Sequence, residues 1–136
     1  MAKQAIIWRH DLQCRLGKKM AQAGHAANAD AASLIRANMD SEGNVSFKLT
    51  PAQMAWYQSD PVTEKKIVLR VESEEDLMTI YNRAKELGLP VNLITDCGLT
   101  EWDAPTRTCV SIGPDEESKI DAVTGDNGPL GRLKTL

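Results

Sequence analysis

The hydrophobic and polar positions of the chain fall into short apolar runs separated by longer segments of helical period. Residues 5–9, AIIWR, make an apolar run that ends in charge, which suits a buried strand. From about Lys18 to Met39 the chain is built of helix formers. This stretch is rich in alanine, at Ala21, Ala23, Ala26, Ala27, Ala29, Ala31 and Ala32. Small side chains let a helix lie close to a sheet, and Leu34 and Ile35 thicken its apolar face near the end. Residues 40–49 read as a loop. Thr50 then has the marks of a helix N-cap, with Pro51 at the first helical position and Gln53 placed to complete a capping box. A short helix is expected over residues 50–58.

The rest of the chain reads as strand, helix, strand, strand. Residues 66–71, KIVLRV, form the second strand. Ser73 caps the clearest helix, where Glu74, Glu75 and Asp76 favour its positive end. Leu77, Ile80, Tyr81, Ala84 and Leu87 recur at core-facing spacing, and Gly88 with Pro90 supplies the stop. Residues 91–95 are the third strand. The unit 66–95 therefore makes a βαβ crossover, expected to be right-handed with parallel strands. Residues 107–112 are the fourth strand, which Gly113-Pro114 is expected to break. A short amphipathic helix is expected over 115–122, and an irregular tail from about residue 125. The predicted architecture is α/β: a single domain over residues 1–136, with a four-stranded mixed β-sheet flanked by α-helices on both faces.

A chain of 136 residues, 42% hydrophobic and 26% charged, fits one ordinary globular domain. Its formal charge of −3 argues against a charge-driven nucleic-acid binder. Yet Arg9, Arg15, Lys18 and Lys19 lie close together, opposed nearby only by Asp11. That spot suits a polyanion touched over a small area, and it also suits a solvated face. Cys14, Cys97 and Cys109 are an odd count without a CxxC or a metal-ligand spacing, which points to a reducing compartment. The first apolar run is too short for a signal peptide, and no run approaches a membrane span. A cytoplasmic protein is expected.

In open α/β sheets, ligands bind beyond the carboxyl ends of the parallel strands. Two loops meet that description, 10–18 and 96–106. Lys18, Gln22 and His25 stand at i, i+4 and i+7, so they share one helix stripe. A lysine in a first turn opposes the helix dipole, which an anionic ligand would offset, and free first-turn amides favour the same ligand. The stripe also reads as the polar outer face of an amphipathic helix. A P-loop is excluded, because Leu12 and Lys19 stand where that motif needs glycine and a hydroxyl residue. The second loop offers Asp96, Thr100, Glu101 and Asp103, with Gly98 permitting an unusual turn. No histidine lies near these carboxylates in sequence and their spacing matches no ligand pattern, so no metal is expected. Cys14 and Cys97 carry no motif for nucleophilic work.

Taken in order, RHDL, GKKMAQAGHA, VLRVESEEDL, LPVNLITDCGLTEWDAPTRTCVSIGP and IDAVTG closely resemble the second family of peptidyl-tRNA hydrolases. The likeness covers most of the chain; residues 40–65 and the tail are its weak parts. The resemblance implies hydrolysis of the ester between a peptide and the tRNA 3′ end. It implies no cofactor, no required metal, peptidyl-tRNA as partner, no membrane and, often, a homodimer. It places catalytic roles on Lys18, Gln22, Asp96 and Thr100, and substrate or tRNA contacts on Arg9, Asp11, Arg15, Lys19 and His25. This chain departs from the family pattern in three places. Cys97 follows Asp96 where alanine is usual, Glu101 stands where glutamine is common, and DNGPLGRLKTL extends the chain beyond Thr124-Gly125.

On that reading Asp96 orients or deprotonates a water, helped by Thr100. Lys18 holds a phosphate or stabilises the oxyanion, and Gln22 positions the substrate carbonyl. A different class of function, a non-catalytic RNA- or peptide-binding module on the same fold, is separated from it by an assay for release of free tRNA.

Overall fold

A computed structural model describes residues 1–60 and 63–136. Five strands and four helices follow in the order β1 (Ala2–Arg9), α1 (Leu16–Ala37), α2 (Pro51–Tyr57), β2 (Lys66–Val71), α3 (Glu74–Glu86), β3 (Val91–Asp96), β4 (Thr106–Glu116), α4 (Glu117–Thr124) and β5 (Lys134–Thr135). The strands form one mixed sheet in the order β3-β4-β1-β2-β5. β1 and β2 pair in parallel, while β4 runs antiparallel to both β1 and β3. β3 therefore points the same way as β1 and β2. The expected parallel sense of β2 and β3 holds, but the two are not neighbours: β4 and β1 lie between them.

The alternation along β1 sorts its side chains into two clusters. Ala5 and Ile7 join Leu77, Ile80 and Ala84 of α3 and Ile120 and Val123 of α4. Ile6 and Trp8 join Ala26 and the partly buried Ala23 and Ala27 of α1. Ala26 acts as its size predicts at the centre of the buried line of α1, with Gln22 and Asp30 buried on either side of it. The caps also form as expected. Thr50 accepts from the Gln53 N–H at 3.1 Å while the Gln53 side chain accepts from the Thr50 N–H at 3.0 Å. Ser73 accepts from the Asp76 N–H at 3.0 Å. Helix α2 is tied to α1 by a bond of 3.0 Å from the Tyr57 hydroxyl to the Asp30 carboxylate. Burial pushes the Asp30 carboxyl up, against the opposing effect of its bonds from Tyr57 and Gln53.

Three expectations are corrected. The sheet has five strands rather than four, because Lys134 and Thr135 of the tail pair antiparallel with Arg70 and Leu69 of β2. Leu133 beside them packs on the core cluster, and Arg132 makes a two-bond pair with Asp126. The tail is therefore anchored where composition read as irregular. Second, β4 does not stop at Gly113-Pro114 but runs on to Glu116, so α4 starts at Glu117 instead of 115. Gly113 makes this passage workable. Its φ is +100°, and a Cβ there would come 2.6 Å from the Lys3 carbonyl oxygen, opposite the register shift between Lys3 and Ala5. Third, α1 begins at Leu16, a little earlier than the run of helix formers indicated.

Candidate active site

Because β1, β2 and β3 share one direction, their carboxyl ends lie along one edge of the sheet. Arg9, Val71 and Asp96 end these strands there, and α1 begins beyond that edge. This is where the sheet topology leads ligands to be sought. A concavity of about 260 Å³ bounded by Leu87, Leu89, Asp115 and Lys119 lies at the opposite ends of β3 and β4. None of the groups described next lines it.

The Lys18 ammonium from the first turn of α1 lies 2.7 Å from Asp96 Oδ1 and donates to Thr100 Oγ1 at 2.7 Å. The two charged side chains are only 15% and 7% exposed, so solvent screens them less than a surface pair. Gln22, one turn after Lys18, donates through Nε2 to Asp96 Oδ1 at 3.2 Å. Its Oε1 accepts from the Thr108 hydroxyl at 2.7 Å. A carboxylate can only accept, so these two bonds assign the amide orientation without ambiguity. The other oxygen of Asp96 accepts from the Gly98 N–H at 2.9 Å. The Lys18 hydrogen bond foremost, then the Gly98 N–H, holds the Asp96 carboxyl below its ordinary value, although burial pulls the other way. The Trp102 ring closes one side, its centroid 5.3 Å from the Lys18 ammonium.

These residues, brought together from three elements, are accompanied by a match along almost the whole chain. The family model described as Peptidyl-tRNA hydrolase PTH2 matches residues 2–127. The chain belongs to this peptidyl-tRNA hydrolase family. A protein named peptidyl-tRNA hydrolase from Methanopyrus kandleri is 39% identical over 126 residues, covering 93% of this chain and 96% of that one. One of the same name from Methanocaldococcus jannaschii is 37% identical over 123 residues, covering 90% and 95%. A third, from Sulfolobus acidocaldarius, is 34% identical over 124 residues, covering 91% and 96%.

Within this family member, the sequence candidates divide into two groups. Lys18, Gln22, Asp96 and Thr100 come together in one bonded cluster. The substrate-contact candidates are more scattered. Arg9 is engaged internally: its Nε and one terminal nitrogen donate to Asp11 at 3.1 and 2.8 Å, and the other donates to the Arg107 carbonyl at 3.0 Å. That pair raises the Arg9 pKa and lowers that of Asp11, the hydrogen bonds being the main cause in each. Arg15 is free to reach solvent, with its side chain 92% exposed. Lys19 is half-buried. His25 is exposed. Gln22 rather than His25 takes the inward position, since α1 buries the line Gln22, Ala26, Asp30.

Neither Cys14 nor Cys109 is tuned as a nucleophile. Burial, then the nearby Glu101 carboxylate, pushes the Cys14 thiol up. Burial pushes the Cys109 thiol up to about 11. Two neighbours of the cluster were not legible as such in the sequence. Thr108 looks like any β-branched strand residue, and Trp102 like any loop aromatic.

Gly98 sets the shape of the loop. Its φ is +79°, and a Cβ built on it would lie 2.5 Å from the Ala104 carbonyl carbon. Backbone cannot yield as a side-chain tip can, so Gly98→Ala is expected to distort the turn that delivers the Gly98 N–H to Asp96. Turnover should fall about tenfold or more, and stability by about 1–3 kcal/mol. Steady-state kinetics with a parallel thermal melt checks both, and wild-type values in each would show that the turn tolerates a side chain.

Proposed function

We propose that this protein hydrolyses the ester bond that joins a peptide to the 3′ end of tRNA, releasing free tRNA and the peptide acid. The observation that carries the reading is the cluster of Lys18, Asp96 and Thr100, held at 2.7 Å spacings at the sheet edge where ligands of such folds bind. The family membership and the names of the relatives support the same substrate.

The chemistry follows from the donors available. Lys18 carries three N–H donors. Two are directed to Asp96 and Thr100, which leaves a third for the carbonyl oxygen of the ester or for a terminal phosphate. Since Lys18 occupies a lone pair of the Thr100 oxygen, the hydroxyl proton of Thr100 is left to point to a water or to substrate. Asp96 has its proton affinity depressed by its partners, so it serves better to orient a water than to remove a proton outright. Water adds to the ester carbonyl carbon, and negative charge builds on the carbonyl oxygen facing Lys18. Collapse of the adduct breaks the bond to the ribose oxygen, which takes up the proton given up by the attacking water and leaves as the 3′ or 2′ hydroxyl. Gln22 is buried and bonded at both ends, and this supports a role in holding Asp96 rather than in binding the substrate carbonyl.

As part of the same proposal, residues 1–136 act as one domain in which α1 covers one face of the sheet and α3 and α4 the other. The protein works in the cytoplasm, without a cofactor, and Arg15 and Lys19 meet tRNA phosphates. A homodimer belongs to the reading as well, and sedimentation of the purified chain tests it. No helix of the described residues is long and apolar enough to cross a membrane.

The deciding experiment incubates the purified chain with an N-acetylated aminoacyl-tRNA in the presence of EDTA. Release of deacylated tRNA is expected. The Michaelis constant should rise at least tenfold between about 50 and 200 mM salt, as phosphate contacts are lost. Tight binding of the substrate without release of tRNA would overturn the hydrolase reading in favour of a binding module.

A further inference from the structure

The loop that carries Asp96 and Thr100 is held to the helix that carries Lys18 and Gln22 by one further residue. Helix α1 starts without the usual devices. Its N-cap is Arg15, whose side chain makes no capping bond, and no acidic residue lies in its first turn. The first N–H groups of a helix have no acceptor within it, and its N-terminus carries partial positive charge. In this chain the missing acceptor comes from another part of the sequence. Glu101 Oε1 accepts the Arg15 backbone N–H at 3.0 Å. The same oxygen lies 4.0 Å from the Arg15 Nε, a weak contact since that side chain is 92% exposed.

The position of Glu101 gives this cap a consequence beyond helix stability. It directly follows Thr100 and lies a few residues after Asp96, on the loop that Lys18 and Gln22 of α1 also bond. Lys18 lies in the first turn of α1, three residues after Arg15. A displacement of the loop relative to that turn would lengthen the Lys18 contacts to both Asp96 and Thr100 at once. We infer that Glu101 is a positioning residue, whose carboxylate caps α1 from outside and keeps Asp96 and Thr100 in register with Lys18. The inference rests on the reading that the Lys18 cluster is the reaction centre.

The cap needs an oxygen acceptor and not a charge, which separates two substitutions. Glu101→Gln retains an Oε1 that can accept the Arg15 N–H. Glu101→Ala removes it. The alanine variant is expected to lose about fivefold or more in kcat, the factor that loss of one helix cap makes in an equilibrium. Its Michaelis constant should change by less than about twofold, because Glu101 bonds the Arg15 backbone and only weakly touches the exposed side chain proposed to meet a tRNA phosphate. The glutamine variant should recover kcat to within about twofold of the parent. In hydrogen exchange, amides of the first turn of α1 should open faster in the alanine variant and not in the glutamine one.

Unchanged kcat in Glu101→Ala, or equal loss of kcat in both variants, overturns the inference. So does an alanine variant with unaltered exchange at the start of α1. A thermal melt of each variant accompanies the kinetics. Should Glu101→Ala fail to fold, the exchange and kcat of Glu101→Gln beside Glu101→Met, which retains bulk without an oxygen, give the same contrast. Lys18→Ala measured in the same assay keeps the two readings apart. Full activity in that variant overturns the reaction centre itself, whereas an inactive Lys18→Ala beside a fully active Glu101→Ala overturns only the role of Glu101.

Discussion

Lys18→Ala is expected to lower kcat about 100- to 1,000-fold, the range found when one donor to a developing oxyanion is removed. Its thermal midpoint should stay within a few degrees of the parent. The separation of these two effects is what the structure contributes. Lys18 belongs to neither hydrophobic cluster, so its loss opens no core cavity. Alanine is also the best helix former, so α1 is not weakened by it. What is lost is the ammonium 2.7 Å from Asp96 and from Thr100, and with it the group proposed to face the ester carbonyl. The main cause of the lowered Asp96 pKa disappears as well, so that carboxyl should rise back towards its ordinary value in the variant. Single-turnover release of tRNA, measured beside a melt, checks the prediction. A variant that folds and turns over at the parent rate would remove Lys18 from the chemistry.

Asp96→Asn carries the second large effect, a loss of about 100- to 10,000-fold in kcat if Asp96 organises the attacking water. The substitution is nearly the same in shape but wrong in polarity. Asp96 Oδ1 receives Lys18 and Gln22, and Oδ2 receives the Gly98 N–H. An amide has one oxygen and one donor nitrogen. Whichever way it turns, an N–H meets another donor, and the less costly choice points it at Gly98 and loosens the turn. The pH dependence follows from the lowered pKa of the aspartate. Its folded-state pKa lies below the unfolded one, so the stability it contributes is fully present above the unfolded value. That contribution is lost as pH falls through the folded value. The stability difference between parent and Asp96→Asn should therefore be constant at neutral pH and shrink only in acid, below the ordinary aspartate range. Melting both proteins from pH 7 downwards tests this. A difference that collapses already between pH 5 and 7 would mean that a group other than Asp96 sets it.

Much of the site was legible along the chain because helix geometry is local. Lys18 and Gln22 stand one turn apart, and any α-helix through them puts both on one side. Asp96 was legible because the third predicted strand ends there and a glycine turn follows. Gln22 shows where local reasoning stopped. Its place on the stripe was readable, but its fate as a buried link between Asp96 and Thr108 depended on a strand 86 residues away in sequence. His25, on the same stripe, was directed to solvent by the way α1 rolls on the sheet. Arg9 shows the converse: a free basic residue in the sequence is a bonded partner of Asp11 and of the Arg107 carbonyl in the fold.

The basic, alanine-rich start of α1, the caps at Thr50 and Ser73, and the strands at residues 5–9, 66–71 and 91–95 were set by the sequence itself. Each rests on side-chain periodicity or on a bond between residues three apart, and such interactions need no knowledge of distant chain. The strand order, the passage of β4 through Gly113-Pro114 and the fifth strand from the tail were decided only by tertiary structure. They depend on which backbone edges find partners, and the hydrogen-bonding capacity of an extended backbone is nearly the same for every residue. The same holds for the approach of Glu101 to Arg15. A glutamate in a loop carries no sign of the N–H it will meet, because that N–H becomes available only when a helix begins there and the sheet brings the loop beside it.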